Sequence, residues 1–339
     1  MAISEATIDD LLEELIERFP PATSDPVAFL GAQFDSGLAW THFPAGEGGL
    51  GATPAEHQHV LQRLTQVHAP TAWGRNVIGY GMVAPTLVTH GTPEQKQRFL
   101  RPLFTGEEIW CQLFSEPGAG SDFAALATRA ELDGDEWIVS GQKVWTTLAH
   151  EAAFGLLVAR TNPDVTKHKG LTAFLVDMHA PGVDVRPLYQ ATGEAEFNEC
   201  FFHEVRIPDR LRLGGVGEGW PVSLTTLMNE RVSIGGSVPP RDSGLIGEAL
   251  KIWKRRWTGR HDPHAMAVRS ELLQSWVRNE VARLTNLRAS DLRQAGTPGP
   301  DWCSPKRISA PARSAWTSWV PKACSTDPTT RTFGPRSRP

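Results

Sequence analysis

The chain is 339 residues long, 40% hydrophobic, with a formal net charge of −4. That length exceeds a single compact core and suits two or three domains. The near-balanced charge leaves no electrostatic footprint for nucleic acid, and no stretch reaches the roughly 20 apolar residues needed to span a bilayer.

Four cysteines, Cys111, Cys200, Cys303 and Cys324, have no CxxC spacing. They point to a reducing compartment, without a disulfide framework or a zinc site. No basic segment precedes an apolar run at the N-terminus, so no signal peptide is read there. A cytoplasmic enzyme is expected.

Residues 1–108 read as helical. Ser4 can cap a helix in which Ile8, Leu11, Leu12, Leu15, Ile16 and Phe19 recur at helical spacing, and Pro20 and Pro21 stop it. Thr92, Pro93 and Gln95 form a capping-box start, with Leu100, Leu103 and Phe104 on the apolar face that follows. His57 and His59 lie two apart, on different helix faces, which argues against a metal pair.

From about Ile109 the period changes. Residues 136–145 carry β-rich runs around Ser140 and Gly141, read as a hairpin turn. Residues 152–160, 171–178, 183–188 and 198–208 continue the strand pattern between Gly, Pro and Asp. This predicts a β-domain over 109–215. Long periodic helices return over 216–298. The predicted fold is multi-domain α+β: an N-terminal helical domain, a β-barrel-like middle domain and a partial C-terminal helical bundle. Residues 299–339 lack either period and are rich in Ser, Pro, Thr and Arg. With Trp302, Trp316 and Trp319 they are unusual for a disordered tail. A shifted reading frame, which would leave the bundle incomplete, accounts for them.

The densest signal is WCQLFSEPGAGS at 110–121, followed by Asp122 and then by QKVWTT at 142–147. Two turn-like segments flanking β-strand suit a planar ring held by backbone amides and hydroxyls. Glycine permits close backbone approach. Alone, PGAGS reads as an ordinary tight turn. In order with residues 91–103, 170–178, 181–188, 193–209 and 217–231, it resembles the acyl-CoA dehydrogenase family, over roughly residues 30–300.

That resemblance implies FAD as cofactor and an acyl-CoA thioester as substrate. Gln112, Leu113, Phe114 and Ser115 are then expected beside the flavin pyrimidine, with Gly118, Gly120 and Ser121 turning at ring and substrate. Trp145 is expected to pack on the flavin, and Thr146 and Thr147 to follow it, Thr147 facing N5. Glu230 matches the base position of the isovaleryl- and long-chain-type members. Ser121, Met228, Asn229 and Arg231 are expected at the substrate. Met228 and Val232 would desolvate Glu230 and raise its pKa; otherwise Glu230 and Arg231 form a surface pair of little energetic weight. Lys167, His168 and Lys169 form a basic loop that is either solvated or meets the CoA phosphates. No metal is expected.

The expected reaction is α,β-dehydrogenation: the α-proton to a carboxylate and the β-hydride to flavin N5. Electrons would pass to an electron-transfer flavoprotein, in a homo- or hetero-dimer or tetramer. Two other classes share the motifs: an inactive truncated product or non-catalytic subunit, and a flavin monooxygenase of the same fold.

Overall fold

The computed structural model describes residues 5–233 and 240–294. Ser4, the Val232 side chain and the 299–339 segment fall outside the described residues. The chain divides into two compact units, Met1–Gly235 and Gly236–Pro339.

The first unit opens with α1 (Glu5–Arg18), α2 (Pro26–Asp35) and α3 (Pro54–Gln66), followed by a π-helical turn (Gly79–Val83), α4 (Ala84–His90) and α5 (Pro93–Thr105). Ile8, Leu12 and Leu15 bury the inner face of α1, as their spacing predicts. Helix α5 starts with the predicted box: the Gln95 amide donates to the Thr92 hydroxyl at 3.3 Å, and the Thr92 amide to Gln95 Oε1 at 3.0 Å. Such a cap stabilises a helix by about 1 kcal/mol. The Gln95 side chain also donates to the Arg210 and Arg212 carbonyls, at 2.9 and 2.8 Å, tying the cap to the sheet region. Helix α3 carries a second box, Thr53 with Glu56.

The sheet comprises β1 (Trp110–Leu113), β2 (Arg129–Asp133), β3 (Glu136–Thr147), β4 (Phe154–Arg160), β5 (Leu171–Asp177), β6 (Val183–Leu188), β7 (Phe197–Pro208) and β8 (Arg212–Leu213). Its order is β6-β7-β3-β2-β4-β5-β8, with β1 parallel to β4. It curls on itself, so that Trp137 of β3 meets Phe174 of β5 at 5.4 Å between ring centres. Cys111, Leu113, Val139, Leu157, Val176 and Cys200 are fully buried in its interior.

The expected hairpin at Ser140 and Gly141 is not there. Strand β3 runs straight through, and its register with β7 shifts between Val139 and Gly141. The glycine serves close packing: a Cβ on Gly141 would stand 2.5 Å from the Thr128 hydroxyl. The turn lies earlier, where Asp133 pairs with Glu136 across Gly134, whose φ is +64°. A left-handed residue in a two-residue loop is a usual glycine position.

Helix α6 (Gly219–Ser233) completes this unit. A Cβ on Gly219 would stand 2.7 Å from the Leu171 carbonyl carbon and the Thr172 nitrogen, so the helix begins hard against β5. Three polar contacts then fix it to the N-terminal helices. Thr226 and Thr86 hydroxyls meet at 3.0 Å, Thr225 meets His90 Nε2 at 2.8 Å, and Ser233 donates to the Gly81 carbonyl at 2.8 Å.

The second unit holds α7 (Gly244–Arg256) and α8 (Pro263–Gln294). Ile246 and Ala265 are buried, and Trp276 donates its indole N–H to Asp242 at 2.6 Å. Among the described residues no helix is long and apolar enough to cross a membrane.

Candidate functional site

The loop after β1 is built by a buried ion pair. Glu116 and Ala119 exchange backbone hydrogen bonds at 3.0 and 3.1 Å, closing the Pro117–Gly118 turn. The Glu116 carboxylate accepts from the Ala127 and Thr128 amides at 2.6 and 2.9 Å. It also accepts from Lys143 Nζ at 2.8 Å, and the same ammonium donates to the Phe114 carbonyl at 3.0 Å. Lys143 is fully buried. Burial pushes its pKa down to about 8, against the opposing charge of Glu116. Burial would raise Glu116, but the Lys143 charge, the Lys143 hydrogen bond and the 127–128 donors together hold it below its ordinary value. Both groups are therefore charged at neutral pH. A charge pair this deep persists only with its remaining lone pairs satisfied, as here. Both residues lie inside SEPGAGSD and QKVWTT, yet neither is a sequence-predicted site residue. A lysine in the middle of a strand, and a glutamate in the loop before it, were the available signal.

Around this anchor the predicted residues sort by direction. The Val144 amide donates to the Ser115 carbonyl at 2.9 Å, drawing the loop alongside β3. Leu113 is wholly buried and Phe114 stacks on Phe123 at 5.0 Å. Their side chains therefore face the protein, and only their backbone can meet a ligand. Gly118, Gly120 and Ser121 are exposed, and a Cβ on either glycine would meet nothing within 4 Å.

Strand β3 breaks register again between Lys143 and Thr146. The irregularity turns Trp145 outward: it is 63% exposed and has a φ of +61°. A left-handed bulky residue is strained, and such strain gathers at functional sites. The indole is braced edge-on by Phe197 at 6.2 Å. Thr147 is half-buried. Thr146, expected among the cofactor-binding residues, is buried. The alternation along β3 points its side chain inward, beside the Cys200 thiol, leaving only its backbone for a ligand.

Glu230 lies near the end of α6, half-buried. Burial raises its pKa, opposed by a hydrogen bond from Gln112 and by the Arg231 charge. The fold thus brings Gln112 of β1 and Glu230 of α6 together across about 120 residues of sequence. Met228 does not desolvate it as expected: that side chain is 56% exposed, and its sulfur accepts from Arg231 at 3.4 Å. Asn229 donates to the Thr225 carbonyl of its own helix at 2.8 Å. Lys167 pairs with Asp122 at 2.6 Å, and His168 packs on Trp220 at 4.4 Å. His57 bonds Thr41 and His59 bonds Asp9. No group of three or more His, Cys, Asp and Glu is gathered among the described residues.

An outward indole, two glycines backed by open space and a half-buried hydroxyl fit a flat, hydrogen-bonding ring system. Glu230, beside Gln112 and with its pKa raised by burial, adds a proton acceptor.

Comparison with known proteins agrees in chain order. The family profiles "Acyl-CoA dehydrogenase, N-terminal domain", "middle domain" and "C-terminal domain" match residues 7–107, 111–205 and 217–325. The acyl-CoA dehydrogenase FadE34 of Mycobacterium tuberculosis is 50% identical over 59% of this chain, which spans 28% of that protein. The acyl-CoA dehydrogenase IpdE1 of the same organism is 37% identical over 84% of the chain and 70% of its own length. The ChsE4–ChsE5 complex of M. tuberculosis superposes with a TM-score of 0.62 at 27% identity, over 92% of this chain and 81% of that one. With the three profiles in order and a relative this similar over most of its length, the chain belongs to the acyl-CoA dehydrogenase family of FAD-dependent oxidoreductases.

Proposed function

We propose that this chain binds FAD and dehydrogenates an acyl-CoA thioester between Cα and Cβ, with Glu230 as the base. The carrying observation is the placement of a half-buried carboxylate, Glu230 of α6, beside Gln112 of β1, where burial raises its pKa. An α-proton next to a thioester is weakly acidic. A base with an elevated pKa is better matched to it than an ordinary carboxylate.

In this reading the flavin supplies the hydride acceptor, and the chain supplies everything else. Trp145 forms one wall of the ring site, and Thr147 offers its hydroxyl to the ring edge. The backbone of 112–121 lines the other edge, where Gly118 and Gly120 let it approach closely. The Glu116–Lys143 pair keeps that loop in place before substrate arrives, so no reorganisation is needed during the reaction. Glu230 takes the α-proton, and the Gln112 amide orients its carboxylate. Arg231, exposed at the end of α6, faces solvent where the polar part of a CoA ester would enter.

Electrons then leave to an electron-transfer flavoprotein. The two-chain ChsE4–ChsE5 complex among the structural relatives supports a homo- or hetero-oligomeric assembly here too. Purified chain should carry yellow FAD absorbance that bleaches anaerobically with an acyl-CoA and recovers with ferricenium. Bleaching only by NADPH would instead favour the monooxygenase reading.

A further inference from the structure

Trp145 and Leu148 both have left-handed backbone, with φ of +61° and +55°. Neither is glycine, so the segment 145–148 must be held from outside. One side chain touches its middle directly and its far end through a shared carbonyl. Asn198 of β7 is fully buried and is the Cα partner of Thr146, the pair at which the β3–β7 register resumes after its break. Its Nδ2 donates to the Thr146 carbonyl at 3.0 Å, in the peptide that joins Thr146 to Thr147. It also lies 3.3 Å from the Glu196 carbonyl, which accepts the Leu148 amide at 2.9 Å. Carbonyls only accept, so these two fix the orientation of the Asn198 amide. His150 Nδ1 lies 3.1 Å from the same nitrogen.

We infer that Asn198 is a positioning residue: through one buried amide it holds Trp145 and Thr147 in the strained geometry that grips the flavin ring. The inference rests on the flavin reading above, but its core is a coupling between two residues, measurable with or without flavin. Removing Asn198 lets the 145–148 segment relax toward ordinary strand, turning the indole and the Thr147 hydroxyl away from the ring.

The experiment is a double-mutant cycle on the full chain with Asn198→Ala and Trp145→Gly. FAD binding is followed by flavin fluorescence and the visible spectrum, and melting is followed on the FAD-free chain. Glycine adopts a φ near +60° without strain, so Trp145→Gly removes the strain at the Trp145 end of the segment. Asn198→Ala should weaken FAD binding by about tenfold or more in the wild-type background and shift the flavin bands. In the Trp145→Gly background the same change should alter affinity by a clearly smaller factor than in the wild type. Melting should show the same pattern, with Asn198→Ala costing less once Trp145 is glycine. Should the alanine variant not fold, Asn198→Leu keeps the volume without the N–H donors and should give the same cycle. Equal melting losses in both backgrounds, or unchanged FAD affinity and spectrum in Asn198→Ala, would overturn the inference. A wild-type chain that takes up no FAD, yet shows the melting coupling, would instead remove the flavin reading and leave the clamp standing.

Discussion

A carboxylate that must remove a proton from carbon gains from an elevated pKa, and burial supplies that to Glu230. Flavin reduction should therefore rise with pH through a value above the ordinary carboxylate range and fall below it. Stability should run the other way. A carboxyl whose folded pKa is raised contributes stability fully below its unfolded value and loses it as pH rises through the folded one. Glu230→Gln should thus melt higher than wild type at neutral pH while reducing flavin more slowly. A lower melting temperature in that variant would contradict the burial argument. Lys143 tests the loop anchor. Lys143→Met leaves Glu116 buried and without its cation, which costs about 3–5 kcal/mol. Removing both charges with Glu116→Gln and Lys143→Met should recover part of that loss in chemical denaturation. A loss in the double variant equal to the sum of the Lys143→Met and Glu116→Gln losses would show that the pair does not act as a unit.

Strand β3 and helix α6 carry the site, and the sequence disclosed them unequally. The Thr92–Gln95 box and the α1 face were legible because caps and apolar periodicity are local properties. The bulge at Ser140 and Gly141 was not. A glycine in a strand reads as a turn until the Thr128 side chain against it is known. The outward turn of Trp145, and the inward turn of Thr146, follow from the second register break, which no strand pattern announces. Lys143 was equally hidden, since its partner lies 27 residues away. The seating of α6 depends on contacts with Thr86, His90 and Gly81, far off in sequence. Its starting point can be tested. Gly219→Ala would place a methyl 2.7 Å from β5 backbone, and backbone yields less readily than a side chain. A loss of about 1–3 kcal/mol is expected. Because α6 carries Glu230, flavin reduction should slow along with it. Unchanged melting would mean that the helix start adjusts freely.

At the scale of the whole molecule, helices, a mainly antiparallel sheet and helices again follow the order of the three matching profiles. The fold class was readable because periodicity changes at about 109 and again after 215. The approach of Gln112 to Glu230 was not legible in the sequence, since nothing local relates β1 to α6. The most direct test of the account is anaerobic single-turnover reduction of bound FAD by an acyl-CoA, comparing wild type with Glu230→Gln. The substitution keeps the shape and the contact with Gln112 while removing the base. The account predicts bleaching in the wild type and a loss of about 10²–10⁴-fold in rate for Glu230→Gln, with acyl-CoA still bound. Reduction by Glu230→Gln at the wild-type rate would contradict it.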